Sequence, residues 1–168
     1  MKVLQLAGIV PESIVDGPGI RYTIFVQGCP HGCPECHNPQ THAFTGGTPT
    51  QPEEILAEID GKPYIRGVTL SGGEPFCQAE ALCALAKSLK VRGKHLMAYT
   101  GYTFEELLTL DDPFVRPLLE QLDLLVDGRF VAAEKSLDLH FRGSANQRVL
   151  DVPASLRAGA PVWAEQYR

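Results

Sequence analysis

The sequence predicts a mixed α/β fold built on a mostly parallel sheet, and two observations carry that prediction. Short β-branched or aromatic runs alternate along the chain with segments of helical periodicity, the pattern of successive βα units. The polar and glycine-rich stretches then fall directly behind the runs that read as strands. In parallel sheets, and in βα barrels or incomplete barrels, sites gather at those strand ends. At 168 residues the chain is long enough for one core and short for two, so a single domain over residues 1–168 is expected.

Taken in order, Val3 to Ile9 and Tyr22 to Val26 read as strands, separated by the DGPG turn at 16–19. The segment that follows, QGCPHGCPECHNPQ at 27–40, is too stiff and too polar for a core element. PEEILAEI, preceded by Thr50, opens with Pro52 and two acids, which suits a helix start where the dipole favours negative charge; a helix over Pro52 to Ile59 follows. Gly67 to Leu70 is a brief apolar strand that runs into SGGEP. Gln78 to Arg92 carries Leu82, Leu85, Ala86 and Leu89 at helical spacing. HLMAYTG at 95–101 reads as strand, Thr103 with Glu106 as the capping box of a helix through FEELL, and Leu122 to Val126 as another strand before DGR. The cysteine segment, SGGEP, YTGY and DGR thus all sit behind strands, and one face of the sheet collects the chemistry.

Composition narrows the function. Hydrophobic residues at 44% and charged residues at 21% suit a globular protein. A net charge of −5 without any Lys/Arg run argues against a nucleic-acid binder held by phosphate contacts. No apolar run approaches the roughly 20 residues of a bilayer crossing, and MKVLQLAGIVPES lacks a full signal h-region, so no membrane partner and a cytoplasmic location are expected. In a reducing compartment clustered cysteines more often bind metal than form disulfides. Cys77 and Cys83 stand apart in a helical segment and are expected to be small buried apolar residues.

Cys29, Cys33 and Cys36 form CxxxCxxC. Zinc wants four ligands and would have to recruit His31, His37 or His42. Three soft thiolates on one short loop also suit three corners of an iron–sulfur cube and leave the fourth iron open to a ligand that is not protein, which is the favoured reading. In SGGEP, Gly72 and Gly73 let the backbone approach a ligand closely, and Glu74 adds a carboxylate at the mouth of the sheet that suits a cationic amino group. An ordinary strand-to-helix turn is the plain alternative.

Together GCPHGCPECHNP (28–39), DGPGIR (16–21), LSGGEPF (70–76), YTGYTFEEL (99–107), LLVDGRF (124–130) and FRGSANQRVLDV (141–152) resemble the radical SAM enzymes, specifically the small activases of glycyl radical enzymes. The last three segments favour those that act on anaerobic (class III) ribonucleoside-triphosphate reductase. The resemblance implies an incomplete βα barrel of the radical SAM type. It implies a [4Fe-4S] cluster on Cys29, Cys33 and Cys36 whose open iron chelates S-adenosylmethionine. Gly72, Gly73 and Glu74 would receive the methionyl amino group, and Asp127, Gly128 and Arg129 would lie on its carboxylate side or near a cation. Glu35 and His37, flanking Cys36, would contact the adenine. The implied oxidoreductase reaction is reductive cleavage of S-adenosylmethionine and removal of a hydrogen atom from a glycine of the reductase, with a flavodoxin or ferredoxin type of electron donor.

Two positions depart from the pattern. Glu35 stands where an aromatic residue is common, and Tyr99 where formate-lyase activases carry an acid. Asp16 and Arg21 are open to two readings, partner contact or turn construction. So are Arg142, Asn146, Gln147 and Arg148, which either close over the nucleoside or meet the partner, or form a solvated strand edge. The alternative functions are a radical SAM enzyme acting on another glycyl radical enzyme or a small molecule, and a non-catalytic iron–sulfur or zinc binding protein.

Overall fold

The alternating runs pair into one sheet. The computed structural model describes residues 1–168. Its strands are β1 (Leu4–Ser13), β2 (Arg21–Val26), β3 (Thr48–Thr50), β4 (Gly67–Gly72), β5 (His95–Tyr99), β6 (Leu124–Asp127) and β7 (Arg148–Asp151), in the spatial order β3-β1-β2-β4-β5-β6-β7. The central strands β2, β4, β5 and β6 are parallel. β1 and β3 on one flank and β7 on the other are antiparallel, and the two outermost strands do not meet. The sheet is therefore open, with the α/β alternation and parallel centre that the sequence predicts.

The helices are α1 (Pro52–Asp60), α2 (Ala79–Val91), α3 (Phe104–Leu107), α4 (Val115–Leu119) and α5 (Val152–Ala158). None is long and apolar enough to cross a membrane. Strand side chains alternate between faces. On one face Tyr22, Ile24, Val26, Val68, Leu70, Leu96, Ala98 and Leu125 pack with Ile55, Leu82, Leu85, Leu89, Phe104 and Leu118 into the main core. The opposite face carries Thr23, Phe25, Thr69, Ser71, Met97 and Tyr99. Only a small cluster, Met97, Leu124, Val126, Val149 and Ala164, covers its far end.

Local signals explain several element ends. Thr103 accepts the amide of Glu106 at 3.1 Å while Glu106 accepts that of Thr103 at 2.9 Å, so the capping box forms as read. The residue before α1 is Gln51, and Thr50 instead closes β3 against β1. Cys83 is buried in α2, whereas Cys77 is exposed, because it lies in the 3-10 turn Pro75–Gln78 and not on the helix face that packs. The sequence reading omits β3, α4, β7 and α5. Each is short, and β7 exists through its antiparallel register with β6.

Arg21, first residue of β2, is 1% exposed. Its Nε donates to Thr69 Oγ1 (2.7 Å), Nη1 to the Pro18 carbonyl (3.0 Å), and Nη2 to the carbonyls of Val68 (3.0 Å) and His95 (3.2 Å). Burial lowers its pKa to about 10, so it stays charged at neutral pH. The guanidinium ties the DGPG turn across the N-terminal ends of β4 and β5. It is consumed inside the protein, which answers the partner-contact reading of Arg21. Gly17, at φ 128°, folds over it where a Cβ would lie 2.9 Å from Arg21 Cδ. Replacing Arg21 by Met keeps much of the volume and strips these acceptors of their donor. We expect a loss of about 2–4 kcal/mol in urea unfolding; an unchanged midpoint would show that the clamp contributes nothing.

Candidate functional site

At the C-terminal ends of the parallel strands lies an open cavity of about 810 Å3, within the roughly 300–1,000 Å3 usual for small-molecule sites. Its walls come from the loops behind β2, β4, β5 and β6 and from the return segment before β7.

Behind β2 the chain forms a neck. Gly28 N–H donates to the Thr41 carbonyl at 2.7 Å and Cys29 N–H to the His42 carbonyl at 3.0 Å, closing the cysteine loop on itself. Cys29, Cys33, Cys36 and His37 all face the cavity, and every thiol is free and partly exposed. As the chain lies, no three His, Cys, Asp or Glu side chains form a metal-holding group. Burial pushes the Cys29 thiol up, and the Glu74 carboxylate and the other two thiols add to it. A metal taken there must displace a proton. Glu35 is exposed, at φ 57°, and lies off the cavity wall.

Behind β4 the two glycines serve a close approach, though of a different partner from the one the sequence suggests. Gly73 N–H donates to the Val26 carbonyl at 2.8 Å and Glu74 N–H to the Gly28 carbonyl at 2.7 Å. A Cβ on Gly73 would lie 2.2 Å from the Gly28 oxygen, and one on Gly72 would lie 2.4 Å from the Val26 nitrogen. What the glycines admit is the neck of the cysteine loop. Both still face the cavity.

Glu74 does not stand at the mouth. It is fully buried behind the turn. Its carboxylate accepts Phe76 N–H (3.1 Å), Thr100 Oγ1–H (2.8 and 2.9 Å), Gly101 N–H (2.8 Å) and faces His31 Nε2 at 2.6 Å. Asp127 is likewise 1% exposed; it accepts Phe104 N–H at 2.8 Å and Arg148 Nε–H at 3.0 Å and Nη2–H at 2.5 Å. That hydrogen bonding holds Arg148 well above its usual pKa. Arg129 points outward to Glu106. Of the DGR segment only Gly128 reaches the cavity wall.

The return segment closes the far side with Phe130, Lys135, Leu137, Leu139, Phe141 and Arg142. Sequence reading passed over Lys135, Leu137 and Leu139, which belong to no motif or periodic pattern. Gln147 builds this loop by accepting Gly143 N–H (2.9 Å) and Ser144 N–H (3.1 Å) and donating to the Gly128 carbonyl (3.0 Å). Asn146 donates to the Arg129 carbonyl at 2.7 Å. The polar cluster is thus largely internal scaffolding, with Arg142 and Gln147 also lining the cavity.

The family described as a 4Fe-4S single cluster domain matches residues 15–150, an interval that contains every cavity-lining residue. The chain is 38% identical over 145 residues to the anaerobic ribonucleoside-triphosphate reductase-activating protein of Vibrio cholerae, covering 82% of this chain and 91% of that one. It is 35% identical over 150 residues to the protein of that name from Enterobacteria phage T4, covering 84% and 90%. The chain belongs to the family of anaerobic ribonucleoside-triphosphate reductase-activating proteins. Among solved structures it is similar to QueE from Escherichia coli, with a TM-score of 0.44 and 22% identity over 60% of this chain and 54% of that one.

Membership in this activating-protein family, with a matching 4Fe-4S domain, supports an iron–sulfur cluster, and the donor set fits one. Three thiols face one cavity from one loop, and the loop's own acid, Glu35, is turned away. The Gly73 packing gives a test. A methyl added by Gly73→Ala meets the Gly28 carbonyl, so we expect a loss of about 1–3 kcal/mol and less iron retained after anaerobic reconstitution. Native stability and iron content together would overturn the close-approach account.

Proposed function

We propose that this chain is a radical SAM activase, a single functional domain over residues 1–168 working in the cytoplasm, that installs a glycyl radical on an anaerobic ribonucleoside-triphosphate reductase. The observation that carries the reading is the placement of Cys29, Cys33 and Cys36 on the same cavity wall as the Gly72–Gly73 backbone. The three cysteines would hold a [4Fe-4S] cluster with S-adenosylmethionine on its open iron. When bound, that group supplies one electron from a flavodoxin or ferredoxin type of donor, dividing S-adenosylmethionine into methionine and the 5′-deoxyadenosyl radical that takes hydrogen from the partner's glycine.

The chain's own part is binding, orientation and exclusion of side reactions. Gly72 and Gly73 give the methionyl ammonium a backbone surface, with the Glu74 carboxylate behind it. Lys135 and Arg142 are the cavity's Lys/Arg cations and suit the methionyl carboxylate beside Gly128; Arg142 Nε is buried without a partner. His37 lies 5.1 Å from the Phe130 ring, a surface for adenine where Glu35 offers none. The cavity's rim is apolar and open. Val15 and Leu137 on its wall are 74% and 93% exposed, and Ile14 next to Val15 is 77% exposed, which suits a partner's loop better than an enclosed small substrate. The relatives' names point to the reductase as that partner.

The test is anaerobic reconstitution with iron and sulfide, then dithionite and S-adenosylmethionine, with 5′-deoxyadenosine quantified with and without the reductase. We expect product, its stimulation by the reductase, and a glycyl radical signal in the reductase by electron paramagnetic resonance. Cys33→Ala should abolish product while leaving a folded chain. No product from a full, reducible cluster would return the protein to the non-catalytic iron–sulfur reading; product without a radical in the reductase would point to another substrate.

A further inference from the structure

Residues 30–37 carry the second and third cysteines, and apart from the His37–Phe130 ring contact the loop is held to the rest of the chain through little. Its stem is fixed at Gly28 and Cys29, and within it Cys36 N–H donates to the Cys33 carbonyl at 3.2 Å. Beyond the stem, the hydrogen bond that reaches outside the loop is from His31, whose ring is 3% exposed and whose Nε2 lies 2.6 Å from Glu74 Oε1. The ring also meets Tyr102 edge-on, with centroids 4.5 Å apart. It fills the space that a side chain at position 101 would need, since a Cβ on Gly101 would lie 2.3 Å from His31 Cδ2.

Glu74 is the other half of the contact. Its carboxylate takes Thr100 and Gly101 from the loop behind β5 and His31 from the loop behind β2, while its own backbone amide binds Gly28. A buried carboxylate must be matched by donors, because stranding it costs several kcal/mol. All three loops are therefore held to one another through a single side chain.

We propose that His31 and Glu74 form a latch that fixes the cysteine loop against the turns behind β4 and β5, and so sets the three thiols relative to the Gly72–Gly73 backbone. Both are positioning residues. The consequence for chemistry rests on the radical SAM reading above, but the latch itself is a property of the chain without its cluster.

Two kinds of measurement separate them. In the chain before reconstitution, amide hydrogen exchange of residues 30–37 should rise about tenfold in His31→Phe, which keeps a ring against Tyr102 and removes the donor, with α2 unchanged as proof of folding. His31→Gln, which keeps an N–H donor at the end of the side chain, should recover much of the protection. After reconstitution, His31→Phe should retain less iron. Normalised to bound iron, His31→Phe should raise the KM for S-adenosylmethionine by about threefold or more with kcat within about twofold, the split expected when binding geometry and not the chemical step is disturbed, and His31→Gln should bring the KM back toward the native value.

Native exchange and native iron content in His31→Phe would overturn the latch. Native exchange with activity abolished would also overturn it, since His31 would then act on the chemistry directly. Should the native chain hold a full cluster and form no 5′-deoxyadenosine, the activase reading fails while the exchange comparison still decides the latch.

Discussion

The carbonyl oxygen of Gly28 is the point on which the site depends. It accepts the Glu74 amide at 2.7 Å and occupies the space where a Cβ on Gly73 would stand. Because Gly73 has no side chain, the ends of β2 and β4 meet by backbone alone, and the cysteine loop leaves the sheet directly beside the glycine turn. From the same turn the Glu74 carboxylate reaches into the end of β5. Three parallel strands thus finish in one hydrogen-bonded knot instead of three independent loops. That knot lets thiols from one loop and backbone from another share a cavity with defined geometry.

The opposite ends of the same strands are clamped by the opposite charge. Arg21 begins β2 and binds carbonyls of β4 and β5, and Gly67 at the start of β4 leaves it room: a Cβ there would lie 2.4 Å from Arg21 Nη1. Asp127 repeats the device at the end of β6, joining the start of α3 to Arg148 of β7. In each case a buried charge is matched by several donors or acceptors from distinct elements, the condition under which burying it is tolerable. Removing any one of these side chains strands partners in more than one element, so the parallel centre behaves as a unit.

Some of this was legible in the sequence and some was not, and the division follows the range of the interactions. The capping box at Thr103 and Glu106, the apolar stripe of α2 and the position of each polar stretch behind a strand depend on neighbours a few residues apart, and all appear as read. CxxxCxxC and the glycine pair were visible as motifs. The duties of Glu74 and Asp127 were not, because their partners His31, Thr100 and Arg148 lie 21 to 43 residues away and nothing local marks them. Cys77 was misplaced for a smaller reason: helical periodicity continues through Pro75–Gln78, but the backbone there is a 3-10 turn that exposes it. The short β7 is defined by pairing, which a single-strand pattern does not record.

The two faces of the sheet explain why a cavity exists at all. Toward the helices the parallel strands present Leu, Ile, Val and Tyr side chains that fill the interlayer space. On the other face, between Phe25 and the small cluster around Met97, they present Thr23, Thr69 and Ser71, which are too short and too polar to support a second packed layer there. The return segment before β7 bridges that face only at its rim, and volume remains beneath it. The charge in that volume runs against the whole chain. The protein carries −5, yet the acid on the cavity wall is Asp16, held by Ser13 and Thr23, while Lys135 and Arg142 also line it, with Arg142 Nε unpartnered. Net charge argues against a phosphate backbone as partner, but it says nothing of the local field in a pocket, which is set by the few charges that line it. The local field favours a small molecule that brings an anionic group to the return segment, a carboxylate included, in the cavity that Cys29, Cys33 and Cys36 also line.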